Sequence, residues 1–262
     1  MKEDISTLWE ERSRFYKERM NGVLPKSFPS PVNNYLHSWM FEQIKKVIPA
    51  GKTVKVLDLG CGYGRLSKEV LKKFPKSLTF GIDISETYVN LYNQNLSPRG
   101  KATSGDVRKL PFKNSSFDVI FVVTTLMYIT KKSDQEKVMT EIFRVLKAKG
   151  KYVIIERNPS GYGLVTLGGF VSKIRGRKFR EIPAVSFDVS SMKLLIKRCG
   201  GEVIDLHGIP FLTMSLPLLF LLSIINRNIA ERILKGVSFF DRVFSWLLTP
   251  SLYISYIGEK KL

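Results

Sequence analysis

Apolar and polar positions along this 262-residue chain change period from one segment to the next. Between residues 53 and 158 the changes come in a regular order. "TVKVLDLG" is an apolar run of strand type, and in "RLSKEVLKKF" Leu66, Val70, Leu71 and Phe74 recur at helical spacing. "SLTFGIDI" reads as a second strand, followed by "SETYVNLYNQNL" as a helix that Ser85 and Glu86 start. "GKATSGDV" is a short third strand, and "FDVIFVVTT" is a continuous apolar run suited to a strand buried on both faces. The amphipathic "DQEKVMTEIFRVLK" is expected to stop at Gly150, ahead of the strand "KYVIIERN". This order predicts an α/β fold, a mostly parallel, doubly wound sheet with helices on both sides.

The flanks follow other rhythms. Residues 1–50 are expected to form a helical cover, because Leu36, Met40, Phe41, Ile44 and Val47 recur at helical spacing. Residues 51–262 then hold the sheet, with insertions at about 159–185, glycine-rich and then basic, and at about 210–249, strongly apolar from Pro210 to Ile225. Between them "SSMKLLIKRCGG" is a helix with a glycine stop and "EVIDLHGI" a strand; "SLYISYIGEKK" closes the chain in the edge region of the same sheet.

From Leu206 to Asn226 no residue is charged, a length that raises a membrane span. Pro210 and Pro217 speak against one. So does topology, since the strand at 252–259 must return to the sheet that holds the strand at 202–209. Three roles stay open for the insertion: a cap helix lining an apolar pocket, a membrane-surface contact or a dimer contact. Arg227, Arg232, Lys235 and Arg242, interleaved with Phe239, Phe240, Phe244 and Trp246, suit an interfacial element. An anionic membrane surface is therefore an expected partner through residues 210–246, and the oligomeric state is left open.

Composition narrows the class. A hydrophobic share of 44% and a charged share of 25% describe a globular chain long enough to bury a full core. Cys61 and Cys199 stand in unrelated contexts, which suggests neither a disulfide framework nor a metal site. The start "MKEDISTLWEERSR" lacks the apolar core of a signal peptide, so a cytoplasmic setting is expected, extended by the insertion to the inner membrane face. The net charge of +19 is spread: residues 1–50 carry 8 basic and 6 acidic side chains, 51–158 carry 20 and 10, and 159–262 carry 14 and 7. No basic arm exists, but the long-range field favours anionic partners such as RNA or acidic lipid.

Gly60, Gly62 and Gly64 stand at alternate positions just after Asp58. A dinucleotide-binding turn places its third glycine at the sixth position of the motif, where this chain has Arg65. D-L-G-C-G-Y-G instead resembles the first motif of the class I S-adenosylmethionine-dependent methyltransferases, in their small-molecule, type 11-like branch. "GIDIS" resembles the end of that family's second strand, "GDVRKLPF" its adenine-side segment, "FDVIFVVTTLMYI" its fourth strand and "EIFRVLKAKGKYVIIE" its next helix and strand. "SSMKLLIKRCGGEVIDL" is similar to the helix and strand that come after. The resemblance covers roughly residues 53–158 and 186–209. It implies a Rossmann-like sheet of seven strands with the last antiparallel, S-adenosylmethionine as cofactor, and methyl transfer to a small acceptor, apolar or lipid-linked.

It also implies site residues. The loop of Gly60, Gly62 and Gly64 brings backbone near the methionyl and ribose portions, and Asp58 orients that loop and the methionyl end. Asp83, an acceptor-only carboxylate at a strand's end, takes both ribose hydroxyls. Asp106 accepts the adenine amino group beside the Val107 backbone, and Ile84 and Thr124 are further cofactor contacts. Tyr16 resembles a tyrosine that lids the cofactor in some relatives. For any one of these aspartates alone, a helix cap or surface turn is the competing role.

Where relatives often carry a histidine after the fourth strand, this chain has Tyr128, a weak base with an ordinary pKa of about 10 but able to orient a hydroxyl. Tyr128 and His37 are the candidate catalytic residues. For His37 and His207, the chain's two histidines, a purely structural role competes. No N/D-P-P-Y/F tetrad and no Pro-Cys pair is present, so nucleic-acid bases are the less expected acceptors. An RNA methyltransferase using the basic surface, or a non-catalytic cofactor-binding regulator, are the alternatives.

Overall fold

In a computed structural model, which describes residues 5–26, 28–161, 182–225 and 227–261, the predicted strands join one sheet. They are β1 (Lys55–Leu59), β2 (Leu78–Asp83), β3 (Gly100–Ser104), β4 (Phe117–Val123), β5 (Leu146–Arg157), β6 (Gly201–Gly208) and β7 (Tyr253–Lys260), in the order β3-β2-β1-β4-β5-β7-β6. Pairing is parallel from β3 through β5, whereas β7 runs antiparallel to both β5 and β6. The result is a Rossmann-like doubly wound sheet with its last strand reversed. β7 slots in one place from the edge, and half-exposed β6 forms the border.

Successive side chains of a strand point to opposite faces, so a strand buried on both sides must be apolar throughout. β4 meets that demand: Val119, Phe121 and Val123 enter one core cluster, Ile120 and Val122 the other. β5 divides in the same way, with Val153 and Ile155 against Tyr152 and Ile154. The first cluster is closed by α2 (Ser30–Lys45) and α3 (Arg65–Lys73), the second by α5 (Lys132–Val145) and α6 (Val189–Arg198). α4 (Glu86–Leu96) starts at Ser85, whose hydroxyl accepts the Tyr88 N–H, and packs along β2 and β3.

α5 ends earlier than its spacing predicts. The helix stops at Val145, and Leu146 to Gly150 already belong to β5. Sheet pairing competes for this backbone and wins: Leu146 pairs with Phe117, and its carbonyl accepts the Lys260 ammonium at 2.9 Å. Gly150 is therefore no helix stop. It follows the bend at Lys149 (φ 56°), where an added Cβ would lie 2.7 Å from Leu146 Cδ1.

The N-terminal residues supply α1 (Ile5–Tyr16), a short 3₁₀ turn and α2. Most of the first predicted insertion, residues 162–181, lies outside the described residues. The second folds as a hairpin of α7 (Pro210–Ile225) and α8 (Arg227–Val243) beside α2. Among the described residues no helix is long and apolar enough to cross a membrane. α7 has 16 residues where about 20 are needed, and its Leu212, Leu216 and Leu219 are buried in the core shared with α2. Asp241 of α8 ties the hairpin down. Its carboxylate accepts the Phe211 and Leu212 N–H groups at the start of α7 and the Tyr35 hydroxyl of α2 at 2.7 Å. A carboxylate on those first amides satisfies donors that a helix cannot serve itself.

Candidate active site

Strand order reverses between β1 and β4, and a crevice at such a reversal lies outside the carboxyl ends of the strands. There a cavity of about 300 Å³ opens. Asp58, Gly60 and Gly62 line it from β1 and its turn, Asp83 and Ile84 from the end of β2, Asp106 and Val107 from beyond β3, and Thr124 and Tyr128 from beyond β4. Nine of the predicted site residues thus share one cavity. Gly64, Tyr16 and His37 are not among its lining.

The turn after β1 needs glycine for reasons internal to the protein. Gly60 has φ +75°, and a Cβ there would stand 2.2 Å from Thr125 Oγ1. Gly64, the N-cap of α3 at φ +83°, would put a Cβ 2.7 Å from Leu96 and 2.8 Å from Tyr92. Gly60→Ala is accordingly expected to cost about 1–3 kcal/mol in backbone strain alone, with the clash in addition. Thermal melting checks this, at roughly 2–4 °C for each kcal/mol; an unchanged Tm would contradict the close approach.

Asp83 sets the shape of the turn. Its Oδ2 accepts the Gly62 N–H at 2.8 Å and its Oδ1 the Ser85 N–H at 3.0 Å, and each oxygen keeps acceptor capacity toward the cavity. Burial raises its pKa above the ordinary aspartate value, against the pull of those amides. Asp58, with the Ser67 hydroxyl on its Oδ2 at 2.8 Å, is pushed by burial up to about 7.

Asp106 is placed differently from a free acceptor. Arg108 grips it through Nε and the terminal amine, the latter at 2.5 Å, and also reaches Asp134 at 3.1 Å. The Arg108 hydrogen bonds hold the Asp106 carboxyl below its ordinary range. A ligand's amino group would share this carboxylate with the arginine.

Thr124 adopts φ +53°, rare for a residue with a Cβ, at the point where β4 turns into the loop carrying Tyr128. That loop hangs on Glu156. The Glu156 carboxylate, 1% exposed at the end of β5, accepts the N–H groups of Thr125 at 2.9 Å, Leu126 at 2.7 Å and Met127 at 3.1 Å. Burial pushes its pKa up to about 8, in opposition to those three donors.

The two candidate catalytic side chains part company here. Tyr128 lines the cavity edge-on to Trp9, ring centroids 5.0 Å apart. Burial raises its pKa above 10, so the phenol stays protonated at neutrality and serves as a donor rather than a base. His37 stands behind the wall, on α2. Its Nδ1 accepts from the Arg65 guanidinium at 2.5 Å, and burial lowers its pKa to about 4, so it is a neutral support for an arginine that does line the cavity.

Sequence reasoning passed over Trp9, Arg65, Arg108 and Glu156. Trp9 had a readable signal, since Ile5, Trp9, Arg12 and Tyr16 form one stripe of α1, and resemblance selected the last turn of that stripe instead. Ile5 and Trp9 line the cavity; Tyr16 does not. Glu10 fixes the helix, accepting the Ser85 hydroxyl at 2.8 Å and that of Thr87 at 2.5 Å. No described residue of 210–249 lines the cavity, and the inner side of the hairpin is committed to α2 and the sheet.

A glycine turn after β1, an acidic residue closing β2 and a second acidic segment after β3, gathered at the reversal of a seven-stranded sheet with β7 antiparallel, define the class I methyltransferase fold. Residues 56–150 match the family model described as a methyltransferase domain. Over that span the chain carries a methyltransferase domain. It is similar to sterol 4-C-methyltransferase strm-1 of Caenorhabditis elegans, 33% identical over 43% of this chain and 34% of that one. It is likewise similar to demethylmenaquinone methyltransferase of Thermotoga maritima, 36% identical over 40% of this chain and 44% of that one. The chain thus spans less than half the length of these two relatives. Phosphoethanolamine N-methyltransferase 2 of Haemonchus contortus, solved with S-adenosyl-L-methionine, shares the fold at a TM-score of 0.63 and 14% identity, covering 97% of this chain and 60% of that one.

Proposed function

We propose that the protein transfers the methyl group of S-adenosylmethionine to a small, apolar or lipid-linked acceptor. The observation that carries this reading is a cavity lined by two unlike sets of residues. One set is glycine backbone and carboxylates, from Gly60, Gly62, Asp83 and Asp106; the other is apolar and aromatic, from Ile5, Trp9, Tyr128 and Ile129, with Val23 beside Gly62. The cofactor fits the first set by its chemistry. Asp83 has acceptor capacity left for two ribose hydroxyls, and Asp58 offers a carboxylate for the ammonium of the methionyl end. Asp106 would take the adenine amino group only by sharing with Arg108.

Bound there, the cofactor would supply a methyl group already activated by its sulfonium. The chain's own contribution is then position and dryness: Trp9 and Tyr128 wall off water, and the Tyr128 phenol can donate to an acceptor oxygen. Sterols and demethylmenaquinone, for which two of the relatives are named, are acceptors of the apolar kind that the apolar and aromatic lining suits.

Two measurements test the reading. S-adenosylhomocysteine is expected to bind and to raise the melting temperature; no calorimetric signal at millimolar ligand, with folded protein, would remove the cofactor assignment. Labelled methyl offered with fractionated extracts should enter the lipid or small-metabolite fraction. Label in RNA would instead favour an acceptor recruited by the +19 surface. Binding without transfer to any fraction would favour a regulator.

A further inference from the structure

Seven of the ten exposed large hydrophobic side chains among the described residues lie in one element, the α7–α8 hairpin and the turn after it. They are not scattered. On α8, Ile229, Gly236, Phe240 and Val243 follow at intervals of seven, four and three, one exposed stripe opposite the buried Ala230, Leu234 and Asp241. The adjacent stripe, at intervals of three, four and three, is Arg232, Lys235, Phe239 and Arg242, all exposed. α7 adds Phe211, Met214 and Leu218 on its outer side, and the Phe211 ring joins the two helices by meeting Phe240 at 5.3 Å and Phe244 at 5.5 Å. Trp246, 67% exposed, stands just past the end of α8.

The bordering charge says what this surface fits. Residues 210–249 hold four basic side chains and two acidic ones, Glu231 and Asp241. Asp241 is buried and occupied by Phe211, Leu212 and Tyr35, so the exposed rim sets Arg232, Lys235 and Arg242 against one acid, Glu231, and is basic on balance. A symmetric pairing of two copies through this face would set Arg232, Lys235 and Arg242 against themselves, a like-charge contact that disfavours a second copy. An anionic lipid surface offers the opposite charge to the basic stripe and an apolar boundary to the other. Arginine and lysine stems can lie along the apolar surface while their heads meet phosphate, and aromatic rings lodge at headgroup level.

We propose that the α7–α8 hairpin seats the protein on an anionic membrane surface, lying on the bilayer with Phe240 and Val243, and Phe239 and Trp246 beside them, entering the headgroup boundary. The inner side of the hairpin stays in the protein core, so docking needs no unfolding. This surface is separate from the cavity, and the proposal holds or fails independently of methyl transfer.

Flotation of the full chain with phosphatidylcholine vesicles, with and without phosphatidylglycerol, tests it. At low salt the protein is expected to rise with the anionic vesicles and to stay largely behind with the neutral ones. High salt should release part of it, because charges are screened within about 10 Å at 0.1 M and about 3 Å at 1 M. Arg232→Ala and Lys235→Ala should each lower the partition about fivefold. Phe239→Ser with Trp246→Ser, both at solvent-facing positions, should remove most of what salt leaves, with S-adenosylhomocysteine binding and Tm unchanged as the proof of folding. Absence of flotation on anionic vesicles at low salt overturns the proposal. Equal partition to neutral vesicles overturns it too, as does flotation indifferent to these substitutions. A concentration-dependent dimer abolished by the same substitutions, without flotation, would assign the face to a second copy.

Discussion

Replacing Asp83 by alanine is expected to weaken S-adenosylhomocysteine binding about ten- to hundredfold, the equivalent of roughly 1.5–3 kcal/mol for hydrogen bonds lost to a charged acceptor. A second effect accompanies it. The same carboxylate holds the Gly62 and Ser85 amides, so the turn after β1 and the start of α4 both lose an anchor, and Tm should fall together with affinity. Asp83→Asn should fall between alanine and wild type in both, because its one carbonyl oxygen still serves one amide while the amide nitrogen opposes the other. pH supplies a further reading. Burial raises the Asp83 pKa, so the ionised acceptor is lost on acidification at a higher pH than for an ordinary aspartate, and wild-type affinity should drop there first. Calorimetry across pH measures both; affinity unchanged in Asp83→Ala would mean that another group holds the ribose.

Glu156→Ala is the second large effect. It leaves the amides of Thr125, Leu126 and Met127 without their acceptor at a site with almost no access to solvent. Each stranded buried donor costs about 1–3 kcal/mol, offset by no longer burying a carboxylate, so a net loss of roughly 3 kcal/mol is expected. At roughly 2–4 °C per kcal/mol the Tm should fall on the order of 10 °C. Methyl transfer should suffer beyond the stability loss, since Thr124 and Tyr128 reach the cavity from this loop. Glu156→Gln keeps the acceptor shared by Thr125 and Leu126 and opposes only Met127, so it should lie between alanine and wild type. A Glu156→Ala protein melting like wild type would show that water or a rearranged loop serves those amides.

These two carboxylates differ in how legible they were. Asp83 closes an apolar run three residues before a helix of clear period, and a carboxylate at a strand's end beside a glycine turn has few structural alternatives once three other motifs stand in register. Glu156 also closes an apolar run, in "KYVIIERN", but its partners lie some thirty residues back along the chain. Nothing in local spacing couples the two.

Strand and helix periods, being local, determined most of the sheet, the helices and the glycine turn from the sequence alone. Period two with apolar residues on both faces required a covered strand, and glycines at alternate positions required a backbone that side chains would not permit. Whatever depended on competition between distant segments was decided by the tertiary structure. Sheet pairing with Phe117 ended α5 before Gly150 could. Arg108 took the carboxylate of Asp106, and Trp9 rather than Tyr16 reached the cavity because Glu10 docks α1 on Ser85 and Thr87. The apolar stretch after Pro210 had enough hydrophobicity for several roles, and composition could not choose among them. Asp241, on the partner helix, chose by holding the first amides of α7 and turning one side of the hairpin into the core, which left the other side, apolar with a basic rim, facing outward.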